Sequence, residues 1–287
     1  MERKKDLRLG IIGHGFVGKA TDNGFSKNVK KFIVDPIYST NIDDLVEFSP
    51  ELVFICVPTP MSNDGKQDTS IIRSVVDELS LKVPDSIVVI KSTVLPNVLS
   101  ELTNINEDLI YNPEFLREKF ANEDFINSPM ILLGGDEKIA RKVADYYKYN
   151  SNCICEEYIF VEIISASIIK YSINTFLATK VIFFNEIYNI FNQLCDDDSW
   201  DKIISTIALD TRIGNSHMDV PGHDGRFGFG GACFPKDSSA LIHFSDSMQE
   251  DLSVLKAAVK KNNSIRKQYS ELDDREKEQN VNFDDNH

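Results

Sequence analysis

Gly225 to Asp237 reads GRFGFGGACFPKD, and it places a thiol, a lysine and a carboxylate behind four glycines. Glycines this dense imply backbone that passes close to something or takes positive φ. Cys233 follows at once. Pro235 suits the first turn of a helix, because its missing N–H would be unpaired there anyway. A thiol at a helix start, three residues from Lys236, lies where positive potential favours the thiolate. That is a setting for a nucleophilic cysteine. The competing reading is a buried cysteine beside a glycine loop, which a lone Cys would favour.

A second glycine run, Gly13-His14-Gly15-Phe16-Val17-Gly18, follows an apolar strand at 7–12 and opens a helix that runs to about Phe25. A second strand, 32–35, ends in Asp35, about 20 residues on. In such a unit the glycines let backbone approach a pyrophosphate at the helix N-terminus, and the acid accepts from a ribose diol. A carboxylate repels a 2′-phosphate, so Asp35 favours NAD over NADP. The alternative is a chance glycine turn. Lys170 and Asn174, four residues apart, share one face of an apolar helical stretch, where unliganded they would be costly. Lys170 snorkelling to solvent is the bland alternative. The five histidines match no catalytic motif, and only His223 falls in the glycine-rich loop.

The elements that must hold these groups alternate. Strands are expected at 52–57, 86–90, 109–111 and 130–133, with a helix at 69–81. This pattern predicts a Rossmann-like, doubly wound parallel sheet in an α/β domain over 1–156. Ligands on such sheets sit beyond the carboxyl ends of the strands. The clusters 58–60, 91–93 and 112–118 fall there. From 157 to 270 the pattern becomes helical. One long helix over 159–194, too apolar for a single exposed face, reads as a dimerisation element. Shorter helices are expected at 199–208, 236–244 and 251–266. The polar stretch 271–287 reads as a disordered tail.

The 287 residues are 42% hydrophobic with a formal charge of −14, and the pI is about 4.8. That balance argues against nucleic-acid binding and acidic membranes. No run reaches membrane-span length, and the start lacks a signal peptide's apolar stretch. Five cysteines without CxxC or zinc spacing predict no metal site and suit a reducing cytoplasm.

Taken together, GHGFVG (13–18), VPTP (57–60), KST (91–93), NPEFLRE (112–118), IKYSINTFLATKVIFFNE (169–186), DTRIG (210–214) and GFGGACFPKD (228–237) resemble the UDP-glucose/GDP-mannose dehydrogenase family of nucleotide-sugar 6-dehydrogenases. The resemblance covers about 8–266, in the family's order. It implies oxidation of a sugar C6 alcohol to the acid by two NAD, with UDP-glucose the leading substrate and GDP-mannose or a UDP-N-acetyl sugar the alternatives. It makes Cys233 the nucleophile that carries a thiohemiacetal and then a thioester. Lys170 and Asn174 stabilise oxyanions and hold the sugar. Glu114 is the base of thioester hydrolysis, while Asp237 and Thr93 order the water. The cofactor contacts implied are the 13–18 run, Asp35, Val57, Pro58, Thr59, Pro60, Ser92 and Glu118. The substrate contacts are Phe115, Leu116, Arg117, Phe227, Gly228, Phe229, Gly230, Gly231 and Lys236, with Arg212 reaching a partner subunit's substrate. Taken singly, Glu114 could instead cap a helix and Arg212 pair at the surface.

Departures accompany the match. The family's C-terminal cap domain is not expected in this chain, and a separate cap is a candidate partner. The segment after Asp35 is short, Ser39-Thr40 stand where a basic residue is common, and Ser167 replaces a glutamate. A catalytically weak interaction subunit is therefore the competing class. A two-electron dehydrogenase fits Cys233 poorly.

Overall fold

A computed structural model describes residues 6–283 and divides the chain into two compact units. One comprises the residues up to Thr59 together with Thr69–Lys170. The other comprises Pro60–Asp68 and the residues from Tyr171 onward.

The first unit is built on seven strands: β1 (Leu7–Ile12), β2 (Val29–Val34), β3 (Leu52–Ile55), β4 (Ile87–Ile90), β5 (Ile110–Tyr111), β6 (Ile131–Gly134) and β7 (Tyr158–Val161). They lie in the order β2-β1-β3-β4-β5-β6-β7. Strands buried on both faces need continuous apolar runs, and Leu52, Val53, Phe54 and Ile55 of β3 are all fully buried. The helices are α1 (Phe16–Gly24), α2 (Ile42–Phe48), α3 (Ser70–Lys82), α4 (Pro96–Thr103), α5 (Ala121–Ile126) and α6 (Glu137–Asn150). The chain order reverses around β1, which lies between β2 and β3. That reversal is where an open α/β sheet offers a crevice.

The sheet is mostly parallel, with one departure: β5 and β6 pair antiparallel, Tyr111 opposite Gly134. The 112–130 link carries a 3-10 turn at Glu118–Phe120 and the short α5, whose Phe125 packs so closely on α1 that a Cβ on Gly24 would stand 2.0 Å from its ring.

Two expectations are corrected. Residues 159–161 are strand, not helix: aromatic and β-branched Tyr158–Val161 pair parallel with Ile131–Gly134. The sheet therefore continues past 156, and the border between the units falls after Lys170. Residues 271–283 are not a loose tail. Asp273 caps α11 (Asp274–Glu278) reciprocally with Glu276, and Glu276, Val281 and Phe283 are buried. The remainder of that stretch, 284–287, lies outside the described residues.

The second unit is helical. It contains most of α7 (Ile163–Leu194), then α8 (Trp200–Ile207), α9 (Phe234–Ser247), α10 (Ser253–Arg266) and α11. Ala178 and Ile182 of α7 pack with Phe229, Ile242, Leu255 and Val259. Phe184 packs with Trp200, Met218 and Val220, and Trp200 Nε1 donates to the Met218 carbonyl at 3.1 Å. Among the described residues no helix is long and apolar enough to cross a membrane.

Candidate functional site

In the first unit, Gly13 (φ +86°) and Gly18 are glycine for the protein's own sake. A Cβ would lie 2.7 Å from the Cys56 carbonyl oxygen at Gly13 and 2.1 Å from the Gly13 oxygen at Gly18. Gly15 differs. It is exposed, it caps α1 without a side chain, and an added Cβ would meet nothing within 4 Å. The space above this helix start is therefore open to a ligand. Asp35 follows β2 directly, accepting from the N–H of His14 at 2.6 Å and of Ile37 at 3.0 Å. His14 Nδ1 meets Tyr38 Oη at 2.8 Å.

The ends of β3 and β4 are tied together. Ser92 Oγ donates to the Val57 carbonyl at 2.6 Å, and Thr59 Oγ1 to that of Thr93 at 3.0 Å. Pro58 is exposed in this turn, whereas Pro60 belongs to the second unit. Past β5, Glu114 is buried and its Oε2 accepts from the Leu116 N–H at 2.6 Å. Lys170 Nζ reaches the Glu114 carbonyl oxygen at 2.5 Å and Oε1 at 3.3 Å, and lies 5.0 Å from the Phe115 ring centre. Lys170 does not snorkel: it is 2% exposed. Arg117 is exposed and pairs with Asp124 at 2.7 Å, and Glu118 opens a 3-10 turn beside it.

In the second unit, Cys233 is the N-cap of α9, with Pro235 in the first turn. One turn on, the buried Asp237 carboxylate accepts from Asn174 Nδ2 at 2.7 Å and from Lys236 Nζ at 2.5 Å. The glycine loop spends its N–H groups internally. Phe227 donates to Tyr269 Oη, Gly228 to Asn185 Oδ1, Phe229 to Asn262 Oδ1 and Gly231 to Glu276 Oε1. Gly230 packs against Arg266 and Glu276. Arg212, its side chain 87% exposed, forks onto Asp210, which holds the Asp210 carboxyl below its ordinary range. Lys180 anchors that loop through the carbonyls of Ile213 and Gly214 at 3.0 and 3.2 Å.

Lys91 stands in the KST motif (91–93), where the sequence reading assigns the lysine no role. It follows the apolar β4 and is 4% exposed, yet among the described residues its Nζ hydrogen-bonds neutral groups, Asn112 Oδ1 at 3.0 Å and Tyr147 Oη at 3.1 Å. The rings of Phe54, Phe125 and Tyr147 surround it within 6.0 Å. Burial pushes its pKa down, pushes Tyr147 well up, and pushes the Cys56 thiol up to about 12. A cavity of about 20 Å³, room for one water, lies among Lys91, Asn112, Glu114 and Tyr147. The available signal was a lysine directly after a wholly apolar strand. Among the described residues no cluster of His, Cys, Asp and Glu could hold a metal ion.

Two domains of one family match this chain in order. The NAD binding domain of the UDP-glucose/GDP-mannose dehydrogenase family matches residues 37–150, and its central domain matches 164–264. The chain belongs to the UDP-glucose/GDP-mannose dehydrogenase family. A similar relative is the UDP-glucose 6-dehydrogenase of Rickettsia bellii, 32% identical over 285 residues, covering 89% of this chain and 63% of the relative. A UDP-glucose dehydrogenase from Pyrobaculum islandicum superposes with a TM-score of 0.77 at 26% identity, over 92% of this chain and 70% of that one. A GDP-mannose dehydrogenase from Pseudomonas aeruginosa shares the fold, with a TM-score of 0.61 at 23% identity over 91% and 69% of the two chains. The chain thus spans less than two thirds of the length of the first curated relatives it matches. The cofactor of this family's N-terminal domain is NAD, and the open helix start at Gly15 with Asp35 beside it fits that cofactor.

Proposed function

We propose that the chain oxidises a nucleotide sugar at C6 from alcohol to carboxylate, with UDP-glucose as substrate. The observation that carries the reading is the Asp237 carboxylate, buried one turn after Cys233 and held by Asn174 and Lys236. A glycine loop beside a structural cysteine has no need of three converging polar groups.

Bound NAD supplies a hydride acceptor for each of the two oxidations. The Cys233 thiolate adds to the C6 aldehyde, so the intermediate stays on the chain. Lys170 offers its ammonium to the oxygen that gains charge. After the second oxidation the Cys233 sulfur is held in a thioester. Glu114 takes a proton from water as that water attacks the acyl carbon. The C–S bond then breaks, returning the thiolate and releasing the acid. Asp237 and Thr93 orient this water, and Asn174 holds the sugar. Arg212 serves a partner's substrate, its exposed guanidinium exchanging Asp210 for that ligand. Phe176, Phe183 and Ile190, exposed at seven-residue spacing on α7, support a homodimer through that helix. Phe183→Asp should yield a monomer by light scattering; a parent that is already monomeric at micromolar concentration removes the proposal.

The test is NADH formed per sugar consumed, across UDP-glucose, GDP-mannose and UDP-N-acetyl sugars. Two per UDP-glucose is expected; one, or none with any sugar, overturns the reading. Glu114→Gln should slow hydrolysis about 10²–10⁴-fold, and mass spectrometry should then find a sugar adduct on Cys233.

A further inference from the structure

Glu276 lies beyond residue 264, where the match to the family's central domain ends. Its composition context is that of a tail, yet its side chain is wholly buried. Oε1 accepts from the Gly231 N–H at 3.3 Å and from Arg266 Nη2 at 2.5 Å. Oε2 accepts from the Asp273 N–H at 2.8 Å. Arg266, equally buried, gives its other arm to Asp224 Oδ2 at 2.7 Å, at the start of the glycine loop. A Cβ on Gly230 would stand 2.1 Å from Arg266 Nη2 and 2.3 Å from Glu276 Oε1. Two more bonds seat the segment: Arg226 Nη1 donates to the Glu271 carbonyl at 2.9 Å, and the Met61 N–H to that of Gln279 at 3.0 Å.

The contact at Gly231 matters most. This residue has φ +75°, and no atom lies within 4 Å of where its Cβ would be. Side-chain packing therefore does not hold it, and the Glu276 carboxylate is a restraint on its backbone. Two residues later comes Cys233, at the start of α9.

We propose that Glu276 is a positioning residue: acting through Gly231, it fixes the loop that presents the Cys233 thiol at the start of α9. The proposal rests on Cys233 being the nucleophile. A buried ion pair that merely staples the fold would behave differently, and two variants separate the roles. Glu276→Gln keeps an acceptor oxygen for Gly231 but loses the charge that Arg266 needs. The double variant Arg266→Met with Glu276→Leu replaces the pair with apolar groups of similar volume, a change usually tolerated at the pair itself, but it leaves Gly231, the Asp273 N–H and Asp224 without their partners.

The full chain is compared by urea unfolding, by the rate of Cys233 alkylation with iodoacetamide read by peptide mass spectrometry, and by kcat and NAD affinity. In the double variant the unfolding midpoint should fall only modestly, because Asp224 and the Asp273 N–H lose their partners, and alkylation is read where both proteins are folded. Alkylation at neutral pH should fall about tenfold as the thiol leaves the helix start, and kcat should fall about 10²-fold with NAD affinity unchanged. In Glu276→Gln the midpoint should fall while alkylation stays near parental. Parental alkylation in a stable double variant overturns the proposal. Should the double variant not fold, Glu276→Met is compared with Glu276→Gln in folded protein: alkylation about tenfold slower in the Met variant, which lacks an acceptor for Gly231, supports the proposal, and equal rates overturn it. The alkylation rate gives this answer whether or not any nucleotide sugar is turned over.

Discussion

Gly13–Gly18 and Gly225–Gly231 both lead into a helix, α1 and α9; the first contains one glycine at positive φ, Gly13, and the second contains three, Gly225, Gly228 and Gly231. The first run is tight at its ends and open in its middle. Gly13 and Gly18 are demanded by backbone packing, whereas Gly15 faces open space. The second run is closed at its backbone: most of its N–H groups are taken by side chains from elsewhere, although an added Cβ at Gly225 or Gly231 would meet nothing within 4 Å. Asn185, Asn262, Tyr269 and Glu276 take its N–H groups. An open run can receive a ligand on its backbone. A closed run is a scaffold whose product is the placement of the residue after it, here Cys233. Composition alone does not separate the two, because what differs is which side chains from elsewhere reach the loop.

The largest expected effect tests whether the closed run delivers a reacting group. Cys233→Ser should lower acid formation by at least about 10³-fold while calorimetry finds NAD affinity unchanged. Acid formation at a parental rate would reduce this run to packing alone.

Next is the cost of opening the closed run. Gly228→Ala combines a positive φ of 74° with a Cβ 2.6 Å from Asn262 Oδ1. It should cost about 2–4 kcal/mol by urea unfolding. Gly225→Ala, at the same φ with no atom within 4 Å, should cost only about 1–2 kcal/mol. Equal losses would mean that the side chains around Gly228 do not hold it.

The smallest effect on stability belongs to the open run. Gly15→Val should change the unfolding free energy by less than about 1 kcal/mol yet weaken NAD about tenfold by crowding the helix start. If NAD affinity is unchanged, Gly15 does not face the cofactor.

Much of the first unit was legible because its strands are short apolar runs closed by Gly, Pro or Lys-Ser-Thr. The Glu114–Lys170 and Asn174–Asp237 contacts join residues that the motifs had already singled out. Other features were not legible. Tyr158–Val161 is an apolar run whose strand character comes from the free edge of β6, and pairing across a sheet leaves no mark on periodicity. Residues 271–283 read as tail because the partners of Glu276, namely Gly231 and Arg266, lie far along the chain or in another helix. The Asp273 and Glu276 capping box was a visible signal that the charged composition outweighed.

Lys91 carries a consequence for proton linkage. Burial lowers its pKa in the folded chain, whereas in the unfolded chain it titrates near its ordinary 10.5. Between those two values the unfolded chain holds a proton that the folded chain has released. Folding therefore expels a proton in that window, and at this site stability rises as pH rises through it, levelling off above 10.5. At lower pH both states are protonated, and the fold accommodates an ammonium solvated by one amide, one phenol and three aromatic faces in place of bulk water.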